Sequence, residues 1–118
     1  MYNLVKIGDK AVPMMAMAST DLYYKNIFRE DPIKLQLTDD EAGLINFVMK
    51  VGFVMAKYAE LKDRKEMNKL NEDAFLDWLD QFERSDYLAA LGDVRMTYEG
   101  QSLTEADAKK KDEALSDN

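Results

Sequence analysis

The chain contains neither cysteine nor histidine. The first absence excludes disulfides and thiolate metal sites, and it suits a reducing cytoplasm. The second removes the commonest general base and the commonest transition-metal ligand together. Glycine is scarce, and its five copies are scattered, so neither a Walker loop nor a dinucleotide fingerprint is present. Ser19, Ser85, Ser102 and Ser116 have no imidazole to activate them, and none stands in a G-x-S-x-G elbow.

Positive charge is also short. Sixteen Lys and Arg face 23 Asp and Glu, for a net charge of −7 and a pI near 4.6. Such a surface disfavours phosphate-driven binding to nucleic acid and is repelled by an anionic membrane. Solubility is the ordinary reason for it. The opening "MYNLVKIGDK" has no cationic stretch followed by an apolar run, so it does not read as a secretory signal. The most apolar stretch, Leu44 to Tyr58, is interrupted by Asn46, Lys50 and Lys57 and is shorter than the ~20 residues of a membrane span. The expectation is a soluble intracellular protein that is not an enzyme, with no catalytic residue, no cofactor and no metal.

What is present is a globular mixture: 47% hydrophobic and 33% charged residues in a chain of 118, enough for one modest core. Tyr2 to Ile7 reads as a strand, "GDK" as a turn and "AVPMMAMA" as an antiparallel return. Pro13 cannot donate to a ladder, which places the second strand at an edge or a bulge. A lone hairpin is marginal in water and must lean on helices. Ser19, Thr20 and Asp21 offer N-caps for a first helix that Pro32 ends, and "PIKLQL" reads as an extended connector. Thr38 and Glu41 form a capping box opening a long helix, in which Leu44, Ile45, Val48, Val51 and Met55 recur at helical spacing. "KDRKEMNKL" reads as a charged connector or a frayed continuation of that helix. Asn71 caps the next helix, with Phe75, Leu79 and Phe82 inward; Ser85 and Asp86 open the last, with Tyr87, Leu88, Leu91, Val94 and Tyr98 inward and Gly100 as its stop.

The predicted fold is therefore α+β, mainly α: a β-hairpin over 2–18 packed on a bundle of about four helices, at about 20–30, 38–62, 71–83 and 85–99. Residues 1–100 make one globular domain, and 101–118 a solvated tail.

Asp73, Asp77, Asp80 and Glu83 lie at three- and four-residue spacing, but carboxylate di-metal bundles also use histidine, so a solvated helix face is the favoured reading. Met14, Met15 and Met17 are adaptable side chains of the kind found on surfaces that fit several partners, and Trp78 is of a type frequent in binding hot spots. Core packing of the hairpin on the long helix is the favoured reading for all four. In "STDLYYKNIF", Tyr24, Ile27 and Phe28 share a helix face, while Tyr23 lies about 100° round from Tyr24. One ring is expected inside and the other partly presented. Met14, Met15, Met17, Tyr23, Tyr24, Phe28 and Trp78 are the candidate partner-binding residues.

"MAMASTDLYYKNIFREDPIKLQ" resembles a pattern of the tail assembly chaperones of long-tailed, siphovirus-type bacteriophages and prophages of Gram-positive bacteria. That pattern has a short strand or hairpin, a small-residue and Thr stretch, and a helix reading roughly Y-x-x-x-F-x-x-D. Here those are Ala18-Ser19-Thr20, then Tyr24, Phe28 and Asp31. The family commonly has Gly after the Phe, where this chain has Arg29. "AFLDWLDQFE" is similar to the acidic, Trp-bearing helix that follows the family's long apolar helix.

The resemblance implies a non-catalytic chaperone that binds the tape measure protein, keeps it soluble and promotes tail tube polymerisation around it. It further implies contact with the tail tube protein, residence in the host bacterial cytoplasm, absence from the mature virion and a programmed frameshift that yields a longer form. Lys109-Lys110-Lys111 suits a slippery run, although a solvated charge run is the default reading. Avidity for a long client makes a homo-oligomer the expected state. Two other readings stand beside it. One is a small acidic phage inhibitor mimicking DNA, supported by six acids against Arg84 between Glu72 and Asp86. The other is a structural tail or head–tail connector subunit.

Overall fold

In β1 (Tyr2–Ile7) every second residue turns inward: Asn3, Val5 and Ile7 are buried, while Tyr2, Leu4 and Lys6 face out. β2 (Lys10–Met15) returns antiparallel in unbroken register, Tyr2 opposite Met15 and Ile7 opposite Lys10. The computed structural model describes residues 1–37 and 40–103. Gly8 takes φ +64° at the first position of the two-residue turn, the conformation that suits the twist of a tight hairpin. Met1 and Ala16 exchange backbone bonds, Ala16 N to Met1 O at 2.8 Å and the terminal amine to Ala16 O at 2.7 Å. Alternation from that pair makes Leu4–Pro13 a non-hydrogen-bonded pair, so the proline lacks only an N–H that would have faced outward. An edge strand, without a bulge, accommodates Pro13.

Helices follow: α1 (Thr20–Phe28), α2 (Pro32–Gln36), α3 (Glu41–Leu61), α4 (Arg64–Met67), α5 (Glu72–Leu79) and α6 (Arg84–Tyr98). The architecture is α+β and mainly α, as expected, with 62% of the described residues helical. The expectation of about four helices is corrected to six among the described residues. α2 and α4 stand where connectors were expected, because Asp31 and Asp63 cap them, accepting bonds from Ile33 N and Lys65 N. α3 starts at Asp40, which accepts from Ala42 N at 3.1 Å; the capping box at Thr38 lies outside the described residues. Asn71 caps α5 as expected, accepting from Ala74 N. At the end of α6, Gly100 (φ +82°) donates to Thr97 O and Gln101 N to Met96 O, the paired bonds of a Schellman stop.

α3 is the axis of the fold. Val51 to Ala56 are all buried, one and a half turns with no wet side. By length and composition α3 could cross a membrane, but here β2 and α6 cover its centre and α1 and α2 flank it. Gly52 allows the closest approach: a Cβ there would stand 2.6 Å from Tyr87 Oη and 3.1 Å from Val94 Cγ1. Tyr87 uses the space to donate its hydroxyl to Met49 O at 2.7 Å. On the other flank Tyr24 donates to Glu30 Oε2, Lys50 Nζ reaches Glu30 Oε1 at 2.8 Å, and the same ammonium lies 5.3 Å from the Phe28 ring centre. Lys50, one of the polar residues that interrupt the apolar stretch, is thus half-buried.

β1 is tied to the end of α6 by a buried amide. Asn3 Nδ2 donates to Thr97 Oγ1 (2.9 Å) and to Gln101 O (3.0 Å). Leu103 also packs on the core, so the first three residues assigned to a tail belong to the folded unit. The rest of that tail, 104–118, lies outside the described residues.

Arg29 closes α1 in the left-handed conformation, φ 59° and ψ 32°, with its N–H on Lys25 O. Glycine adopts this geometry without a Cβ penalty. Arg29→Gly is expected to raise stability by roughly 0.5–1 kcal/mol, read as an increase in Tm. Gly52→Ala is expected to cost about 1–3 kcal/mol despite alanine's better helix propensity, because the methyl meets Tyr87 Oη. In a double-mutant cycle followed by denaturant unfolding, Tyr87→Phe should recover part of that loss; strict additivity would refute the contact.

Candidate functional site

Four of the seven residues singled out by sequence are core residues, which corrects their assignment to a partner surface. Met14 is sealed on the inner side of β2, because its register opposite Asn3 turns it inward. Tyr24 and Phe28 share the inward face of α1, with ring centres 5.3 Å from Phe47 and 6.3 Å from Phe53 respectively. Trp78 lies between Phe53, Phe82 and Tyr87 at 5.7, 5.1 and 5.6 Å, because α5 is too short to bury anything but one aromatic side.

The other three stay at the surface but not together. Met15 is half-buried on the outer side of the hairpin, beside exposed Tyr2 and near Leu4 and Pro13. Met17 is exposed just after β2. Tyr23 leans on Tyr58 at 6.0 Å and, with Leu22 and Arg64, lines a shallow hollow of about 350 Å³. The expected split between the two tyrosines is therefore what the fold has.

The larger concavity is one that residue types alone did not mark. It lies along the contact of α3 with α6 as two adjoining hollows that share Ile45. The first, about 410 Å³, is lined by Ile45, Asn46 and Met49 of α3, by Leu79 and Phe82, and by Arg84, Tyr87 and Leu88 of α6. The second, about 190 Å³, is lined by Leu44, Ile45, Val48, Leu91, Gly92 and Arg95. On α6, Leu88, Leu91, Gly92 and Arg95 stand at i, i+3, i+4 and i+7, the four positions that form a hole for a side chain of a facing helix. Leu88, Leu91 and Ile45 had been assigned to the core. Ile45 is 43% exposed, and the other two are only partly covered. The available signal was that α3 carries more apolar surface than its neighbours can hide.

The groove's polar groups are few. Burial pushes the Tyr87 phenol well above its ordinary value, so it remains a neutral donor committed to Met49 O. Burial likewise raises Tyr24 and Tyr98, each beside a carboxylate that accepts its hydroxyl, Glu30 and Asp21. Arg84 makes no ion pair among the described residues, and Arg95 engages Glu99 only through Nε, at 3.0 Å. Asn46 and Arg84 are neither nucleophiles nor bases near neutral pH. The acids of α5 do not converge: among the described residues, no group of three or more is placed to hold a metal.

Core and surface assignments separate by stability. Trp78→Ala is expected to cost about 3–5 kcal/mol. Met17→Ala, at an exposed site, should stay within about 0.5 kcal/mol of the parent by urea denaturation. Equal losses for the two would put Trp78 at the surface.

Compared with models of protein families, with curated proteins and with solved structures, the chain matches none.

Proposed function

We propose that this chain is a non-catalytic binding protein that shelters apolar helical segments of another chain, and that it serves as a tail assembly chaperone of a long-tailed phage or prophage. The observation that carries the binding reading is the α3/α6 groove: two apolar hollows at helical spacing, bordered by an amide and two guanidiniums. Such a lining gives area and adaptability, through Met49 and Leu88, and no group to transform a substrate.

The identity of the client comes from the sequence resemblance. Two further features suit it. The small-residue stretch of that pattern leads from the end of β2 directly into α1, the helix that carries Tyr24 and Phe28. The position where that pattern commonly has glycine, Arg29, takes the left-handed conformation that favours glycine. On this reading the client is the tape measure protein, the tail tube protein is engaged during polymerisation, and the chaperone works as a homo-oligomer in the host bacterial cytoplasm and leaves before the virion is complete.

A second reading has its own observation. Glu72, Asp73, Asp77, Asp80 and Glu83 are all exposed on or beside α5, an acidic face suited to an inhibitor that imitates DNA.

Co-expression with a tape measure protein distinguishes them. The chaperone should keep that client soluble and co-purify with it through salt washes, and mass spectrometry should find it missing from purified particles. Salt-labile capture of a basic host enzyme instead would favour the inhibitor, and presence in particles would favour a structural subunit. Tyr23→Ala combined with Met15→Asp changes two surface positions that do not line the groove and is expected to leave client capture intact.

A further inference from the structure

Gly92 has no explanation inside the monomer. It sits in the interior of α6 without a positive φ, and a Cβ built there meets nothing within 4 Å. Neither backbone conformation nor packing requires glycine, while helix propensity favours almost any other residue. Its effect is to leave an open socket between Leu88, Leu91 and Arg95. Small residues in such positions let a second helix approach closely.

The charge of the groove is the second observation. Against a net charge of −7, the charged side chains lining the two hollows are both arginines, Arg84 and Arg95. Eleven residues separate them, about three helical turns or roughly 16 Å along one face of α6. Arg84 has no partner among the described residues, and Arg95 keeps both terminal nitrogens available beyond its Nε bond to Glu99.

We propose that the α3/α6 groove seats an amphipathic helix of another protein, one that places a large apolar side chain over Gly92 and carboxylates near its two ends for Arg84 and Arg95. This rests on the reading of the chain as a binder of helical clients and gives that client its chemistry. The occupant is acidic at its flanks, apolar along one stripe and at least three turns long. Exposed guanidiniums contribute register and discrimination more than affinity, while the apolar socket supplies the hold.

The test uses the full chain and a designed helical peptide of about twenty residues. One side of the peptide is Leu and Ala, and two Glu stand eleven residues apart beside that stripe. A second peptide carries Lys at those two positions. By fluorescence anisotropy the Glu peptide is expected to bind at least about tenfold more tightly than the Lys peptide. Gly92→Leu should abolish binding while leaving Tm equal or higher, because the new side chain fills the socket without meeting the monomer. Arg84→Glu with Arg95→Glu should reverse the peptide preference.

Absence of saturable binding, or binding indifferent to Gly92→Leu, overturns the proposal. So does loss of a homo-oligomer in Gly92→Leu without peptide, which would make a second copy the occupant. The two readings separate in cells. If a tape measure client co-purifies equally with wild type and Gly92→Leu, the chaperone reading stands and the groove proposal falls. If the peptide results hold but no such client is captured, the groove stands and the chaperone reading falls.

Discussion

A seam of aromatic contacts around α3 holds the molecule together. It runs from Tyr98 through Phe47 and Tyr24 to Phe28, then across Phe53 and Phe75 to Trp78, and ends at Phe82 and Tyr87. Most of these rings meet edge to face, at centre distances of 5 to 6 Å, where the quadrupoles of neighbouring rings attract. α1, α3, α5 and α6 each contribute, so the seam fixes the helices to one another with rigid side chains rather than with many backbone pairings. Two-stranded hairpins are weak by themselves, and this one gains its footing by laying Val5, Ile7 and Met14 on the same core.

That seam explains why the conspicuous residues were poor guides to a surface. Tyrosine, tryptophan and methionine are frequent both in cores and in interfaces, and a small, mainly helical core needs them for the first purpose. Once Met14, Tyr24, Phe28 and Trp78 are consumed inside, the large apolar side chains left outside are mainly aliphatic, Leu22, Ile33, Leu37, Ile45 and Leu76 among them, together with the outer side of the hairpin. The same α3 that anchors the core therefore also supplies the wall of the groove, since a helix apolar on nearly all sides exceeds what β2 and α6 can cover.

Polar pairs set the joints of this arrangement. Asn3 binds the chain's first strand to the stop of α6, and Tyr98 joins α6 to Asp21 of α1 and Gln36 of α2. The Tyr24–Glu30–Lys50 set ties the end of α1 to α3. Each satisfies a side chain that would otherwise be desolvated without a partner, and no buried side-chain nitrogen or oxygen is left unpaired among the described residues. These links connect residues up to 98 positions apart, which no local pattern announces.

The sequence by itself determined the local units: the alternation of β1, the turn at Gly8, the caps at Asn71 and Gly100, and the long apolar periodicity of α3. Those follow from interactions within a few residues, where side-chain type and spacing are sufficient. Even there, the short helices α2 and α4 escaped notice, because an aspartate cap and one turn of helix leave almost no periodic signal. Only the tertiary structure decided which of the apolar residues are sealed and which are shown. Exposure is a property of how much area the neighbouring elements can cover, so Ile45 and Val48, both in the apolar periodicity of α3, end on opposite sides of that line. Ile45 and Gly92 became a candidate site only when α3 and α6 were laid side by side.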